Sequence, residues 1–196
     1  MGRAVQLLQA GQLVALPTET VYGVFALAAD EQAVREVYRV KNRAFDHVLN
    51  LNVSSFEQLK LLSENQPNYL EKLYNKFMPG SLTMILEASE EVPKLVNNGM
   101  TTVGFRVPAH PTTLEIIRQT GPLVGPSANL TGHPSPKTAA DVLTDLDGKI
   151  AAVLVADESI SGVDSTIVDL TGKTPNILRQ GALTIKEINE VIQDDF

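Results

Sequence analysis

The sequence predicts a mixed, twisted sheet flanked by helices, in the α/β or α+β class. Strand and helix patterns alternate, but not as strict βαβ units, and several strands follow one another directly. No internal repeat, low-complexity tract or linker interrupts the 196 residues, so one domain over residues 1–196 is expected. That length supports one well-buried core.

Hydrophobic content is 43% and charged content 20%, ordinary for a globular chain. The absence of cysteine excludes a disulfide scaffold, thiolate metal sites and a cysteine nucleophile, and suits a reducing cytoplasm. His47, His110 and His133 are far apart and match no metal-ligand spacing. The N-terminal segment lacks the apolar core of a secretory signal, and no run approaches the ~20 apolar residues of a membrane span. A cytoplasmic location is expected, without a membrane partner. The net charge of −7 is uneven: residues from Ala151 onward carry eight acids and three bases, whereas the first sixty carry six of each. A locally neutral face with clustered cations could still bind phosphate.

In chain order, Arg3 to Ala10 reads as a short amphipathic helix stopped by Gly11. Leu13 to Leu16 and Val24 to Ala28 read as apolar strands on either side of Pro17-Thr18-Glu19-Thr20. Asp30 caps a helix over Glu31 to Lys41, with Val34, Val37, Tyr38 and Lys41 on one face. Leu49, Leu51 and Val53 alternate with Asn50 and Asn52 as a half-buried strand. Helices follow over Ser55 to Leu62 and Pro67 to Phe77, with Pro67 in a first turn. Strands are predicted over Leu82 to Leu86 and Thr101 to Val107, then a helix from Pro111 to Gln119 closed by Gly121. Pro122 to Gly125 is a short strand leading into Pro126-Ser127-Ala128-Asn129, followed by the breaker-rich loop Thr131 to Pro136. A helix over Lys137 to Thr144 precedes strands at Ala151 to Ala156, Ser165 to Leu170 and Asn176 to Leu178. Thr184 caps a last helix, Ile185 to Gln193.

Some of these residues can carry chemistry. Lys41 and Arg43 at a helix end either offset its macrodipole or clamp a phosphate or carboxylate. Arg106 lies between apolar strand neighbours, where an unpaired cation is costly, so a ligand or a salt bridge is expected. Arg179 makes the same case. Ser127-x-Asn129 follows a buried strand, where open sheets present ligands, although such residues also form turns. Thr18 and Thr102 are strand-end hydroxyls that β propensity alone would also explain. Asn129-Leu130-Thr131 matches a glycosylation sequon, for which chance is the better explanation without a secretory signal. No Walker loop, GxGxxG after a strand, GxSxG or HExxH is present. Residue chemistry alone ends at an anion-binding cleft lined by Lys, Arg, Ser and Thr.

The blocks LPTETVYGV, KNR, TVGFRVPAHP, GPSAN, SPKTAADV, STIVDL and ILRQGA, in this order, resemble the YrdC/TsaC family of threonylcarbamoyl-AMP synthases. The family's KxR…SxN signature falls on Lys41, Arg43, Ser127 and Asn129. The resemblance implies a YrdC-like sheet with a concave, locally positive face, in the short single-domain form. It implies condensation of L-threonine, bicarbonate and ATP, with Mg2+ on the phosphates, to threonylcarbamoyl-AMP and pyrophosphate. Separate transfer proteins then modify an adenosine of tRNA, and direct tRNA contact is a further expectation. By matching position, Lys41 and Arg43 would be catalytic. Thr18, Asn52, Arg106, Gly125 and Ser165 would hold threonine. Lys41, Arg43, Thr102, Ser127, Asn129, Ser135 and Arg179 would form the ATP site, Asn129 by shaping that loop, with no metal bound by protein side chains. The chain departs from the family pattern at Ala44, where proline is usual, at Val48-Leu49, where Pro-Leu is usual, and at Asn52, where histidine is usual. Two alternatives are a non-catalytic RNA-binding module of the same fold and a carbamoyl-adenylate-forming relative. Against the first stand 5% aromatic residues and a pI near 5.0.

Overall fold

Local capping chemistry sets most element starts. Asp30 accepts hydrogen bonds from the Gln32 and Ala33 amides, and Ser55 from Gln58. Thr138 and Thr184 each close a reciprocal capping box, with Asp141 and Glu187. The computed structural model describes residues 1–155 and 160–193. Its helices are α1 (Gly2–Gln9), α2 (Glu31–Val40), α3 (Phe56–Leu61), α4 (Leu70–Phe77), α5 (Pro111–Thr120), α6 (Ala139–Leu146) and α7 (Ile185–Ile192). Its strands are β1 (Val14–Leu16), β2 (Gly23–Leu27), β3 (Asn50–Asn52), β4 (Ser63–Glu64), β5 (Leu82–Ala88), β6 (Thr102–Arg106), β7 (Leu123–Val124), β8 (Ala152–Val153), β9 (Thr166–Asp169) and β10 (Asn176–Arg179).

These strands form one open mixed sheet in the order β10-β9-β5-β6-β3-β7-β2-β1-β8, with β4 paired to β5. The β1/β8, β3/β6 and β5/β9 pairs are parallel. Three expected bounds need correction, and one strand is additional. Helix α4 begins at Leu70 rather than Pro67, because Pro67 sits in a turn that closes on the Leu70 amide. The Thr138–Asp141 capping box moves the start of α6 from Lys137 to Ala139. Strand β8 is shorter than Ala151 to Ala156, and Ala156 lies outside the described residues. The two-residue strand β4 was not anticipated.

Side-chain parity explains where a site can form. One sheet face points Ala15, Val24, Ala26, Leu51, Val124, Phe105, Met84 and Val168 into the larger core cluster. The registers Leu51↔Phe105, Leu51↔Val124 and Met84↔Phe105 place these residues on a common side. The opposite face is divided. Over β1, β2 and β7, residues Val14, Leu16, Phe25 and Leu123 are roofed by Val5 and Leu8 of α1 and Ile116 and Ile117 of α5. Over β3, β6, β5 and β9 the same face presents Asn50, Asn52, Arg106, Thr83, Ile85 and Ile167 to an open hollow. The chain therefore roofs half of that face with helices and leaves the other half open and largely polar, with Ile85 and Ile167 among Asn50, Asn52, Thr83 and Arg106.

The rim of this hollow depends on a close backbone approach. A Cβ on Gly181 would stand 2.3 Å from the Asp164 carbonyl oxygen and 2.5 Å from the Ser165 carbonyl carbon. Backbone cannot yield as a flexible side chain does. Gly181→Ala is expected to cost about 1–3 kcal/mol of stability, read by urea unfolding. Unchanged unfolding would show that this contact does not constrain the fold.

Candidate active site

The hollow has a volume of about 380 Å³ and takes residues from segments far apart in the chain. Thr18, Arg43, Asn52, Arg106, Gly125, Ser127, Ser165 and Arg179, all predicted from sequence, line it together. Its floor is the polar half-face of β3, β6, β5 and β9, and its walls are the Pro17–Thr20 turn, the Ala44–Val48 loop and the Pro126–Asn129 loop.

The Thr18 hydroxyl organises the first wall. It donates to the Val21 carbonyl at 2.7 Å, accepts from the Thr20 and Val21 amides, and meets the Thr20 hydroxyl at 2.9 Å. Thr113 of α5 donates to the Pro17 carbonyl and ties this turn to the helix layer. The Pro126–Asn129 loop pairs with the start of β2: Val24 donates to the Pro126 carbonyl, Ala128 to the Tyr22 carbonyl, and Ser127 bridges Gly23.

Three arginines face the hollow in one common manner. Arg43 donates from Nε to the His47 carbonyl at 2.7 Å and from Nη2 to the Val48 carbonyl at 2.9 Å. Arg106 donates from Nε to the Gly80 carbonyl, and from Nη2 to Glu19 Oε1 and Thr20 Oγ1, each at 2.7 Å. Arg179 donates from Nε and Nη2 to the Ser165 carbonyl and from Nη2 to its hydroxyl at 3.1 Å. Each guanidinium is thus held by one edge, and no Nη1 is bonded among the described residues. Fixed donors of this kind suit anions that must be oriented without reorganisation. Arg106 answers the choice posed by the sequence: it makes a salt bridge with Glu19, and it also lines the hollow. Burial pulls the Arg43 pKa below its usual value.

Four predicted residues lie elsewhere. Lys41 was expected to touch nucleotide, but its side chain is enclosed behind the Ser127 loop, with the residue only 2% exposed. Its Nζ donates to the Ser127 carbonyl at 2.5 Å and the Asn129 carbonyl at 2.6 Å. Burial, and then the Arg43 charge, lower its pKa to about 8, while Asp145 and Asp164 pull the other way. Asn129 is also turned inward, donating to the Leu130 and His133 carbonyls, which is the loop-shaping role the resemblance implies for it rather than a contact in the hollow. Thr102 lies outside the hollow, at the far end of β6 from Arg106, and its carbonyl accepts from Asn97. Ser135 stands behind the rim, its hydroxyl on Asp164 at 3.3 Å, and Asp164 lines the hollow in its place.

Sequence reasoning gave no role to Glu19, Asn50, Thr83 or Asp164. Thr83 is buried, with its hydroxyl 2.9 Å from that of Ser165. The available signal was alternation: Asn-Leu-Asn, Thr-Met-Ile and Gly-Phe-Arg each place a polar or small residue on the face opposite an apolar one. Among the described residues no group of three or more His, Cys, Asp or Glu stands close enough to hold a metal. No helix among them is long and apolar enough to cross a membrane.

A family model covering the Sua5, YciO and YrdC proteins, described as telomere recombination, matches residues 6–181. The chain belongs to the Sua5/YciO/YrdC family. It is 43% identical over 190 residues to the threonylcarbamoyl-AMP synthase of Pyrococcus abyssi, covering 96% of this chain and 56% of that protein. It is 39% identical over 194 residues to the threonylcarbamoyl-AMP synthase of Bacillus subtilis, covering 98% of this chain and 56% of that one. The chain thus spans about half the length of these curated relatives. The crystal structure of P. abyssi Sua5 complexed with L-threonine superposes with a TM-score of 0.93 at 43% identity, over 97% of this chain and 56% of that one. The expected family and mixed sheet are both as the sequence indicated.

Proposed function

We propose that this chain condenses L-threonine, bicarbonate and ATP to threonylcarbamoyl-AMP and pyrophosphate. The observation that carries the proposal is the convergence of three edge-held arginines with Thr18, Asn52, Ser127 and Ser165 in one hollow on the open half of the sheet. The likeness to P. abyssi Sua5 complexed with L-threonine supports an amino acid as one occupant.

In this reading threonine lies over β3 and β6. Arg106 Nη1 meets its carboxylate, and Thr18, Asn52, the Gly125 backbone and Ser165 surround the remainder. The nucleotide lies between Arg43, Ser127 and Arg179, with Asn129 and Lys41 holding the Ser127 loop from behind. Threonine's amine adds to bicarbonate and water leaves, giving a carbamate. A carbamate oxygen then attacks the α-phosphorus of ATP, and the bond to pyrophosphate breaks. No covalent enzyme intermediate is required. The chain gathers mutually repelling anions and holds them in line, and repulsion between unit charges 4 Å apart is about 4 kcal/mol in a partly solvated cleft. The magnesium of MgATP would ride on the triphosphate and add charge neutralisation there. The product would pass to separate transfer proteins that modify tRNA in the cytoplasm.

The test is pyrophosphate release from threonine, bicarbonate and MgATP. Release is expected only with all three present, and Arg43→Ala is expected to lower it at least ~100-fold while the thermal melt stays cooperative. Release independent of threonine, or full activity in a folded Arg43→Ala variant, would count against the assignment.

A further inference from the structure

The three cleft arginines are held alike but are not charged alike. Arg43 and Arg179 rest on carbonyls and a hydroxyl, and neither makes an ion pair with a described residue. Arg106 has a carboxylate on it. Glu19 Oε1 accepts from Arg106 Nη2 at 2.7 Å, while Oε2 accepts from the Ala109 amide at 2.9 Å. With both oxygens engaged, Glu19 cannot swing away when a ligand arrives. The pair is enclosed, at 12% side-chain exposure for Arg106 and 25% for Glu19. The hollow therefore has one end where Arg43 and Arg179 carry no direct ion pair, although Asp46 and Asp164 also line it, and one end where the Arg106 cation is directly paired.

We propose that Glu19 is a specificity-determining residue. By cancelling the Arg106 charge, it lets the β3–β6 end of the hollow accept a singly charged carboxylate and turn away phosphate groups, which are left to Arg43 and Arg179. This rests on the reading that Arg106 receives the amino-acid carboxylate. An anion on Arg106 Nη1 lies roughly 7 Å from the Glu19 carboxylate. At that distance each further negative charge lowers affinity about fifty-fold at an effective dielectric near 20, and about sevenfold once screening at about 0.1 M salt is included. A monoanionic carboxylate bears this once and a dianionic phosphate twice. The difference matters because the proposed co-substrate and by-product are both polyphosphates that would otherwise compete for the amino-acid end.

The test compares inorganic phosphate and threonine affinities, by calorimetric titration, in the parent, Glu19→Gln and Glu19→Gln/Arg106→Gln proteins. Glutamine has nearly the same shape without the charge. On removal of the Glu19 charge in Glu19→Gln, threonine is expected to bind about sevenfold tighter and phosphate about fiftyfold tighter, so the phosphate-to-threonine ratio rises about sevenfold, and that rise is lost in the double variant. Merely structural damage would weaken both ligands together and leave their ratio alone. Glu19→Asp, which keeps the charge, should retain the parent's preference. If thermal melting shows Glu19→Gln unfolded, Glu19→Ala carries the same comparison. An unchanged phosphate-to-threonine ratio, or a phosphate gain that survives removal of Arg106, would overturn the role of Glu19. A parent protein that binds no threonine would instead remove the amino-acid reading, and the phosphate comparison would still decide the charge effect.

Discussion

Lys41→Met is expected to cost about 2 kcal/mol of stability near pH 7 and to reduce pyrophosphate-releasing activity at least ~100-fold. Methionine fills the volume but strands the carbonyls of Ser127 and Asn129, which Lys41 Nζ satisfies inside the protein. Each orphaned carbonyl costs about 1–3 kcal/mol, partly offset because a buried cation is no longer required. The activity loss follows from position, since the loop that Lys41 holds carries Ser127 into the hollow. The pH dependence gives a sharper signature. The folded pKa is about 8, below the usual lysine value of 10.5, chiefly through burial. Below pH 8 the ammonium is charged in both states and its burial cost is constant. Between pH 8 and 10.5 the unfolded chain binds a proton that the native protein has released, so stability rises with pH. The full contribution is about 3 kcal/mol, of which about 2 kcal/mol is gained by pH 9.5. A neutral amine still has two N–H groups for the two carbonyls. The stability gap between parent and Lys41→Met, from urea unfolding, should therefore widen by about 2 kcal/mol from pH 7 to 9.5. A gap independent of pH would show that the native ammonium keeps its proton there.

That behaviour was partly legible in the sequence. The helix period placed Lys41 on one face with Val34, Val37 and Tyr38, and all four are buried. The same pattern points Lys41 into the protein, whereas its closeness in sequence to Arg43 suggests a ligand contact. Arg43, two residues on, lies past the end of α2 and escapes the buried face. Helices α2, behind Asp30, and α7, behind Thr184, start where the sequence places them, whereas α6 starts two residues later than expected despite its Thr138 cap. Helix α4 has no side-chain cap hydrogen bond at Tyr69, and its start was misplaced. The hollow was harder to read because its floor is assembled by pairing. Asn52 stands beside Arg106 through the parallel β3/β6 register, and Thr83 beside Ile167 through β5/β9. Each strand displays its own alternation, but no local signal states that the half-faces of four strands would lie side by side, uncovered, while α1 and α5 cover the rest. Arg106 was legible as a cation needing a partner. Its partner Glu19 lies 87 positions away, in a turn between two threonines, so no local pattern links the two charges.

Gly125→Ala is expected to lower threonine affinity at least ~100-fold and to cost about 3 kcal/mol of stability, because the backbone there rests on an aromatic ring that has nowhere to go. A Cβ at Gly125 would stand 2.4 Å from Phe25 Cε1 and 2.7 Å from Asn52 Nδ2. The Phe25 ring cannot retreat on its other side, where a Cβ on Gly23 would already meet Cε2 at 2.6 Å. Phe25 is buried among α1, α5 and Leu123, so the ring, two glycines and the cleft floor form one layered contact. The methyl group would be accommodated only by lifting the Gly125–Ser127 segment into the hollow or by displacing Asn52, and both changes deform the proposed amino-acid end. A second substitution separates these effects from simple loss of fold. Phe25→Leu removes the ring edge and should cost about 1 kcal/mol alone through altered packing. Combined with Gly125→Ala it should restore most of the stability and much of the threonine affinity, a strongly non-additive pair as expected for groups in contact. Calorimetric threonine titration and urea unfolding of the two single variants and the double variant measure both quantities. Additive losses would mean that the ring does not set the height of the floor, and that the binding defect arises from the Asn52 contact instead.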